Sequence, residues 1–185
     1  MSIITTEEVK SYLGITSTTY DTRIASLIEP VLFDVFDYCN NYFHNNKVRL
    51  QGQVFTFSTS GTVVVDGTNF STYSFASGDE IHVVDSMRND GMYTASSVSS
   101  ATITISTSQT FLSEAEETYC TITKMDVPKS LKPIIASMIW FRIDKPYGAV
   151  QSESLGDYSV TYGQAGEYPN SINRSLNKYR NVKFV

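Results

Sequence analysis

Apolar side chains in the first part of the chain recur at spacings of three and four, the pattern of a helix with one buried face. The repeat occupies Ile24, Leu27, Ile28, Val31, Val35, Tyr38, Cys39 and Tyr42. A short helix is predicted before it, between the capping sequence Thr5–Glu8 and Gly14. Pro30 lies inside the longer repeat and cannot donate to a helical ladder, so we expect a kink or a division there. The Asn-rich sequence 40–46 predicts the end of this helix.

The middle of the chain has the period of strands instead. Short runs rich in Thr, Ser, Val and Ile alternate with turn-forming sequences such as Ser60-Gly61. The predicted strands are Val54–Phe57, Thr62–Val65, Glu80–Val84, Met92–Val98, Ala101–Ser106 and Thr118–Lys124. Short strands at this spacing are typical of a small antiparallel barrel or sandwich. Because helical sequence flanks it on both sides, we predict an inserted β domain, 49–125, in a helical host domain formed by 1–48 and 126–185.

The helical pattern resumes at Pro128 and stops near Lys145. This segment is apolar around nearly its whole circumference, so a helix there must be covered on several sides. A polar, alternating run from Ser152 to Tyr162 follows, and a last amphipathic helix begins near Pro169. The predicted fold class is therefore α+β: a small bundle of about four helices with an inserted antiparallel β barrel or sandwich, and an extended loop or hairpin before the last helix.

Charged residues are unevenly distributed along the chain, with an acidic middle and a basic C-terminal part. The formal net charge of -5 argues against general nucleic-acid binding, which relies on basic surface. Residues 51–125 carry two basic and eight acidic side chains, whereas residues 126–185 carry eight basic and five acidic ones. The basic end is either a solvated helix face or a surface for electrostatic docking, between subunits or onto an acidic partner.

The two cysteines, Cys39 and Cys120, lie far apart in different predicted elements, and we expect both to be buried reduced thiols. No segment has the form of a leader peptide. The longest apolar runs are shorter than the roughly 18 residues needed to span a bilayer. We therefore expect a soluble protein made in the cytosol, with no membrane partner.

The residues most suited to catalysis form no recognisable pattern. His44, in a predicted loop, and His82, in a predicted strand, belong to no spaced set of metal ligands. Four acidic residues of the insert could gather around calcium, but three of them adjoin Gly or Asn, which favours turn chemistry. They are Asp66, Asp79, Asp85 and Asp90. Because phosphate-binding loops, nucleophile elbows and dinucleotide fingerprints are also missing, we expect no enzyme, no catalytic residue, no metal and no cofactor.

The polar run before the last helix has two interpretations. As a hairpin packed on the host core, it would turn at Gly156-Asp157 and direct Tyr158, Val160 and Tyr162 inward. As an oligomer contact, the same alternating strand would offer its backbone edge and its tyrosines to a neighbouring chain. We favour the oligomer contact.

Four segments resemble the head-tail connector (adaptor) proteins of tailed bacteriophages. They are Ile4-Thr-Thr-Glu-Glu-Val-Lys-Ser-Tyr-Leu-Gly-Ile15, Asp21-Thr-Arg-Ile-Ala-Ser-Leu-Ile28, Val127-Pro-Lys-Ser-Leu-Lys-Pro133 and Ser152-Glu-Ser-Leu-Gly-Asp-Tyr-Ser-Val-Thr-Tyr162, with a basic terminal helix after the last. The resemblance covers about residues 1–46 and 126–185. The order of the segments is more specific than any one of them.

The resemblance implies a structural protein of the virion neck, assembled in the host cytoplasm as a dodecameric ring beneath the portal. Such a ring extends the DNA channel, without sequence-specific DNA binding, and receives the stopper or tail-completion protein. It also implies that the last helix and tail bind the portal and that the loop before them contributes to the ring. The implied portal-binding residues are Arg174, Lys178, Tyr179, Arg180, Lys183 and Phe184. The implied ring-contact residues are Gly156, Asp157, Tyr158, Val160 and Tyr162.

The β insert departs from the family pattern. Its sequences Gly78-Asp-Glu-Ile-His-Val83 and Asn89-Asp-Gly-Met-Tyr-Thr94 resemble a small β module of phage structural proteins. We therefore expect it on the outside of the ring, touching capsid or tail. The alternative function is a tail or baseplate binding module whose β insert recognises a glycan or a host surface.

Overall fold

A computed structural model of the chain describes residues 3–51, 55–65, 70–117, 120–144, 152–155, 158–161 and 168–181. Its helices are α1 (Thr6–Leu13), α2 (Asp21–Cys39), α3 (Lys132–Asp144) and α4 (Asn170–Asn177). Its strands are β1 (His44–Gln51), β2 (Phe55–Ser58), β3 (Thr62–Val65), β4 (Glu80–Val84), β5 (Gly91–Val98), β6 (Thr102–Ile105), β7 (Glu114–Glu117), β8 (Thr121–Met125), β9 (Ser152–Leu155) and β10 (Tyr158–Thr161). The architecture is α+β, with four α-helices and an eight-stranded antiparallel sheet in the described residues.

The chain divides into two compact units. The β unit consists of Met1–Ile3 and Tyr42–Val127, and the helical unit consists of Ile4–Asn41 and Pro128–Val185. The helical unit is thus assembled from two stretches that the β unit separates in sequence.

The helical unit starts at the predicted capping box. The Thr5 hydroxyl accepts a hydrogen bond from the Glu8 N–H at 3.2 Å, and the Glu8 carboxylate accepts one from the Thr5 N–H at 3.1 Å. Gly14 ends α1 with φ of 68°, a left-handed conformation that glycine adopts without a steric penalty. Both predicted ends of α1 are confirmed because each depends on residues within one helical turn.

Helix α2 continues through Pro30 without division. Of the predicted stripe, Ile24, Val31, Val35 and Cys39 are buried, and Leu32 and Phe36 are buried beside them. Leu27, Ile28 and Tyr38 are only partly buried, and Tyr42 lies beyond the end of the helix. The helix ends where Asn40 takes a left-handed conformation, with φ of 46°. The first residue of α2 is harder to predict from the sequence. Its N-cap residue is Tyr20, whose side chain makes no capping hydrogen bond.

Helix α3 contacts each of the other three helices, as its apolar circumference requires. Its buried residues are Ile135, Ala136, Met138, Ile139 and Ile143. Lys132, its first residue, forms an ion pair of 2.6 Å with Glu8 of α1. The packing of α3 therefore joins the two separated stretches of the helical unit.

The β unit is one antiparallel sheet of eight strands in the order β1-β8-β4-β5-β6-β3-β2-β7. Its alternating residues face a single core, to which aromatic rings contribute heavily: Phe57 and Phe111 meet edge to face at 5.0 Å between centroids. The buried core residues are Val48, Leu50, Phe55, Phe57, Val63, Phe70, Phe75, Ile81, Val83, Ala95, Ile103, Ile105, Phe111, Cys120 and Ile122. Cys120 and, in the helical unit, Cys39 are buried and are not joined in a disulfide, as predicted.

The described sheet is not closed, so the predicted barrel is not formed by these strands. β1 and β7 stand at the two ends of the strand order. Shifts of register interrupt the pairing of β1 with β8, β2 with β7 and β5 with β6. The alternation of apolar residues predicts a buried face, but it does not determine which strands pair, and closure depends on the pairing.

A separate hairpin precedes α4 in the helical unit. Strands β9 and β10 are antiparallel, with Leu155 opposite Tyr158 and Glu153 opposite Val160. A hairpin was one of the two expected forms of this segment. Among the described residues, none of the helices has the length and hydropathy required to span a bilayer.

Candidate functional site

The C-terminal segment, residues 168–181, carries the described part of the predicted portal-binding set. Its helix, α4, is strongly amphipathic and buries Leu176 completely. Pro169 precedes the first helical residue, which suits a position where no backbone N–H is needed. Leu176 is therefore the apolar anchor that fixes the segment to the helical unit.

Polar contacts attach the same segment to the end of α2. The Tyr38 hydroxyl donates to the Asn177 side-chain oxygen at 2.9 Å, and the Asn181 N–H donates to the Cys39 carbonyl at 2.8 Å. The Asn41 side-chain amide donates to the Tyr179 carbonyl at 3.3 Å. These bonds satisfy backbone groups at both helix ends, so the segment 176–181 is held in a defined position.

Three cations lie on the exposed side of this segment. Arg174, Lys178 and Arg180 are all exposed, and none of them forms an ion pair with another residue in the described part of the chain. The Arg180 guanidinium lies 5.5 Å from the centre of the Tyr38 ring, and the Lys178 ammonium lies 4.7 Å from the centre of the Tyr179 ring. The result is a basic surface backed by two tyrosines, which we call the C-terminal basic surface (Arg174, Lys178, Tyr179 and Arg180).

Tyr179 also connects this surface to Ser130, which lies just before α3. Its hydroxyl lies 2.7 Å from the Ser130 hydroxyl. Partial burial raises the pKa of Tyr179, but hydrogen bonds with Ser130 and Lys178 lower it, and the net shift is downward. The remaining predicted portal-binding residues, Lys183 and Phe184, lie outside the described residues.

A second polar cluster fixes the beginning of the segment. The Tyr168 hydroxyl donates to Asp34 of α2 at 2.5 Å, and Arg142 of α3 forms an ion pair with the same carboxylate. Burial, followed by the hydrogen bond to Asp34, raises the pKa of Tyr168 well above its ordinary value. Asp34 thus links α2, α3 and the residues that lead into α4. Sequence reasoning missed this cluster because its three members lie far apart in the chain.

The hairpin carries the predicted ring-contact set. Tyr158 and Val160 lie in β10, whereas Gly156, Asp157 and Tyr162 lie outside the described residues. Within the described residues, β9 and β10 pair only with each other. The outer backbone edges of this pair therefore have no strand partner among the described residues.

The acidic residues of the β unit make turn contacts. The Asp79 carboxylate accepts from the Ala76 N–H at 2.8 Å and pairs with Lys124 at 2.7 Å. The Asp90 carboxylate accepts from the Ser86 N–H at 2.7 Å. Asp66 lies outside the described residues, and Asp85 takes a left-handed conformation with φ of 64°. Within the described ranges, no group of three or more His, Cys, Asp or Glu is placed to hold a metal ion.

A buried asparagine organises one end of the β unit. Asn89 is 1% exposed, and its side chain makes hydrogen bonds to the backbone N–H and carbonyl of Leu112 and to Glu114. Leu112 and the nearby Met87 are 53% and 75% exposed. They are the two most exposed large apolar side chains among the described residues. We call this pair the apolar tip. The sequence offers no signal for it, because the interacting residues belong to different turns.

Comparison with known proteins adds no relationship. No protein-family model matches the chain, and no curated protein is significantly similar to it. The residues and their arrangement therefore carry the functional argument.

Proposed function

We propose that the protein is a structural head-tail connector, or adaptor, of a tailed bacteriophage. In this role it forms a ring beneath the portal in the virion neck, extends the DNA channel and receives the stopper or tail-completion protein. Its action is geometric: the same two surfaces are used around the circle, which is how heterologous contacts close a ring. DNA passes through the channel without sequence-specific binding.

One observation carries the proposal. The segments that resemble the adaptor family are separated by the β unit in sequence, yet nearly all of their residues belong to the helical unit. Helix α3 contacts α1, α2 and α4 there, so the separated segments share one core. This arrangement is expected if an adaptor bundle has received an insertion between its second and third helices.

The C-terminal basic surface supports portal binding. Its cations are exposed, and the backbone that carries them is anchored through Leu176 and the end of α2. Anchoring reduces the conformational entropy lost on binding, and exposed cations steer association with an acidic surface. The expected partner is therefore an acidic region of the portal.

The hairpin supports ring closure. The β9–β10 pair has free backbone edges within the described residues, and strand addition from a neighbouring subunit would satisfy them. The β unit would then contact other virion proteins, capsid or tail, and the apolar tip is its best candidate contact because exposed apolar side chains mark interaction sites.

The portal interaction can be tested with purified protein and the portal of the same phage. Wild-type protein is expected to add a second ring to portal particles, visible by negative-stain electron microscopy. The triple variant Arg174→Glu, Lys178→Glu and Arg180→Glu should bind portal at least about a hundredfold more weakly, because it reverses three interfacial charges. A matched control, Arg23→Glu, Arg88→Glu and Lys129→Glu, changes net charge equally at other exposed positions and should bind normally.

Ring closure has its own test. The double variant Tyr158→Asp and Val160→Asp should prevent rings on portal while the helical unit stays folded, as reported by the fluorescence of Trp140, the single tryptophan. Ser159→Asp, on the same strand, is the control. Unfolding of the double variant would instead indicate a hairpin packed on its own core. Absence of any particle with wild-type protein, and normal head-tail joining in phage lacking it, would refute the adaptor proposal.

A further inference from the structure

The only two histidines of the chain are in direct contact in the β unit. Nε2 of His44, on β1, lies 2.8 Å from Nδ1 of His82, on β4, and the ring centroids are 5.1 Å apart. The two strands are not neighbours, because β8 lies between them. The imidazole pair therefore ties β1 to β4 across an intervening strand.

Tyr42 covers both imidazoles. Its ring stacks on His82 at 4.7 Å and on His44 at 5.8 Å between centroids. The three rings form a compact group, which we call the imidazole latch (Tyr42, His44 and His82). It stands at the beginning of β1, where the chain enters the sheet.

The pairing of β1 with β8 is interrupted next to the latch. His44 is opposite Met125 and Arg49 is opposite Thr123, so a shift of register separates these two pairs. Besides the latch, the first residues of the strand are held by the Asp126 N–H, which donates to the Phe43 carbonyl at 2.8 Å, and by Asn45, which donates to the Asp126 carboxylate at 2.6 Å. The ladder is interrupted between His44 and Arg49, so side-chain contacts contribute to holding this end of β1 on the sheet.

An N–H···N bond between two imidazoles requires one of the two facing nitrogens to be unprotonated. If one of the two histidines gains a proton, the facing nitrogen of the other histidine can still accept. The hydrogen bond then persists, with the protonated imidazole as its donor. A second proton makes both facing nitrogens donors and places two positive charges next to each other. Two protonated rings are therefore incompatible with the observed contact.

The environment of the two rings disfavours protonation of either histidine. Burial lowers the pKa of His82 to about 4, assisted by His44, while Asp90 acts in the opposite direction. Burial and then Arg49 lower the pKa of His44. The other charged or titratable groups on the adjoining elements are Lys47 on β1, Glu80 on β4, Lys124 on β8, Asp126 after β8 and the Tyr42 hydroxyl. Both rings are thus neutral at pH 7, which is the state that the contact needs.

We propose that the imidazole latch is a pH-sensitive clasp, which holds the start of β1 on the sheet at neutral pH and releases it in mild acid. The sign follows from linkage. The closed form binds fewer protons than an open form in which the histidines have their ordinary pKa of about 6.5. Closure is therefore favoured above that value and weakens progressively as the pH falls from about 6.5 towards about 4.

Hydrogen exchange of the full-length protein tests the clasp. Protection factors, which correct for the pH dependence of intrinsic exchange, are measured by mass spectrometry at pH 7.5 and pH 5. Protection of residues 43–47 should fall at least about tenfold, since a difference of one pKa unit corresponds to a factor of ten. Protection in β6, residues 102–105, serves as the internal reference and should change little.

Two variants distinguish a clasp from a merely structural contact. His82→Gln keeps a hydrogen-bonding side chain that cannot be protonated, so the loss of protection in acid should disappear. Asp90→Asn removes a charge that favours protonated His82 in the closed form and keeps an acceptor for Ser86. By the same linkage, the loss of protection in acid should therefore persist or begin at slightly higher pH. Tyr42→Phe retains the stacked ring, so the loss of protection in acid should persist in that variant.

The histidines are also observable directly by NMR. In the wild-type protein His82 should titrate near pH 4 and His44 below its ordinary pKa. Titration of both near pH 6.5, or equal loss of protection in wild type and His82→Gln, would overturn the proposal. None of these measurements involves a portal, a ring or a phage, so they are independent of the adaptor proposal.

Discussion

The cores of the two units differ in how far apart their residues lie in the sequence. The β unit is nearly continuous in sequence, and its core draws on strands from β1 to β8. The helical unit combines Ile4–Asn41 with residues after Pro128, and it becomes a unit only when α3 and α4 return to α1 and α2. The comparison indicates that the insertion has its own folding determinants, whereas the host depends on contacts between distant parts of the chain.

Each unit contains its own spectroscopic reporter. Trp140 lies on α3 in the helical unit, in edge-to-face contact with Tyr20 at 5.5 Å. His44 and His82 lie in the β unit. Fluorescence and imidazole NMR signals can therefore follow the two units separately in one sample, which allows the comparison to be tested by substitution.

The largest expected effect is in the core of the β unit. Phe57→Ala removes a ring that is 1% exposed and packs edge to face on Phe111. Its loss should lower the free energy of unfolding of the β unit by about 4 kcal/mol, through lost burial and the cavity left behind. The shift is measured as a lower urea midpoint for the imidazole signals.

The control for Phe57→Ala is Thr56→Ala, the exposed neighbour on the same strand. Its effect should be within about 0.5 kcal/mol. If the two units have separate cores, the urea midpoint of Trp140 fluorescence should not move in either variant. A parallel loss of both signals in Phe57→Ala would show that the units unfold together, and the contrast drawn above would be wrong.

A smaller effect is expected for the anchor of α4. Leu176→Ala truncates a fully buried side chain in the helical unit and should cost about 3 kcal/mol. The urea midpoint of Trp140 fluorescence should fall, and α4 should lose protection from hydrogen exchange. Asn177→Ala, which removes the acceptor for the Tyr38 hydroxyl, should cost only about 1 kcal/mol. Equal effects of the two variants would contradict the role of Leu176 as the anchor.

The same contrast explains how much of the fold was predictable. Signals within one helical turn, such as the Thr5–Glu8 capping box and Gly14, were read correctly because the interacting residues are adjacent in sequence. The apolar circumference of α3 and part of the buried stripe of α2 were also correct, since burial imposes their periods. Local patterns were therefore sufficient for the elements of the helical unit.

Contacts between distant elements were not predictable. His44 and His82 are 38 positions apart and meet only because β1 and β4 flank β8. The same is true of Asp34, Arg142 and Tyr168, which come together when α3 and the segment before α4 pack on α2. Strand order, which decides whether the sheet closes, belongs to this class as well. Of the candidate site, charge and position in sequence were readable, but the anchoring of Tyr179 and Arg180 against α2 was not.

The smallest expected effect concerns the ion pair that joins the two stretches of the helical unit. The hydrogen bond from Lys132, together with the backbone hydrogen bond from Thr5, lowers the pKa of Glu8, although partial burial opposes the shift. A carboxyl whose pKa is lower in the folded state stabilises the protein above its unfolded-state pKa and loses that contribution as the pH falls. Glu8→Gln keeps the acceptor of the capping box and removes only the charge.

Glu8→Gln should therefore lower the stability of the helical unit by about 0.5 kcal/mol at pH 7, the size expected of a partly exposed ion pair. The difference between variant and wild type should shrink when the measurement is repeated in acid, as the pH falls through the lowered pKa of Glu8 and the wild-type carboxyl also becomes neutral. Urea midpoints of Trp140 fluorescence at pH 7 and in acid measure it, with Glu7→Gln, an exposed neighbour, as the control. A difference that persists unchanged in acid would mean that Glu8 acts through the capping box alone, and that the charge on Lys132 plays no part in joining α1 to α3.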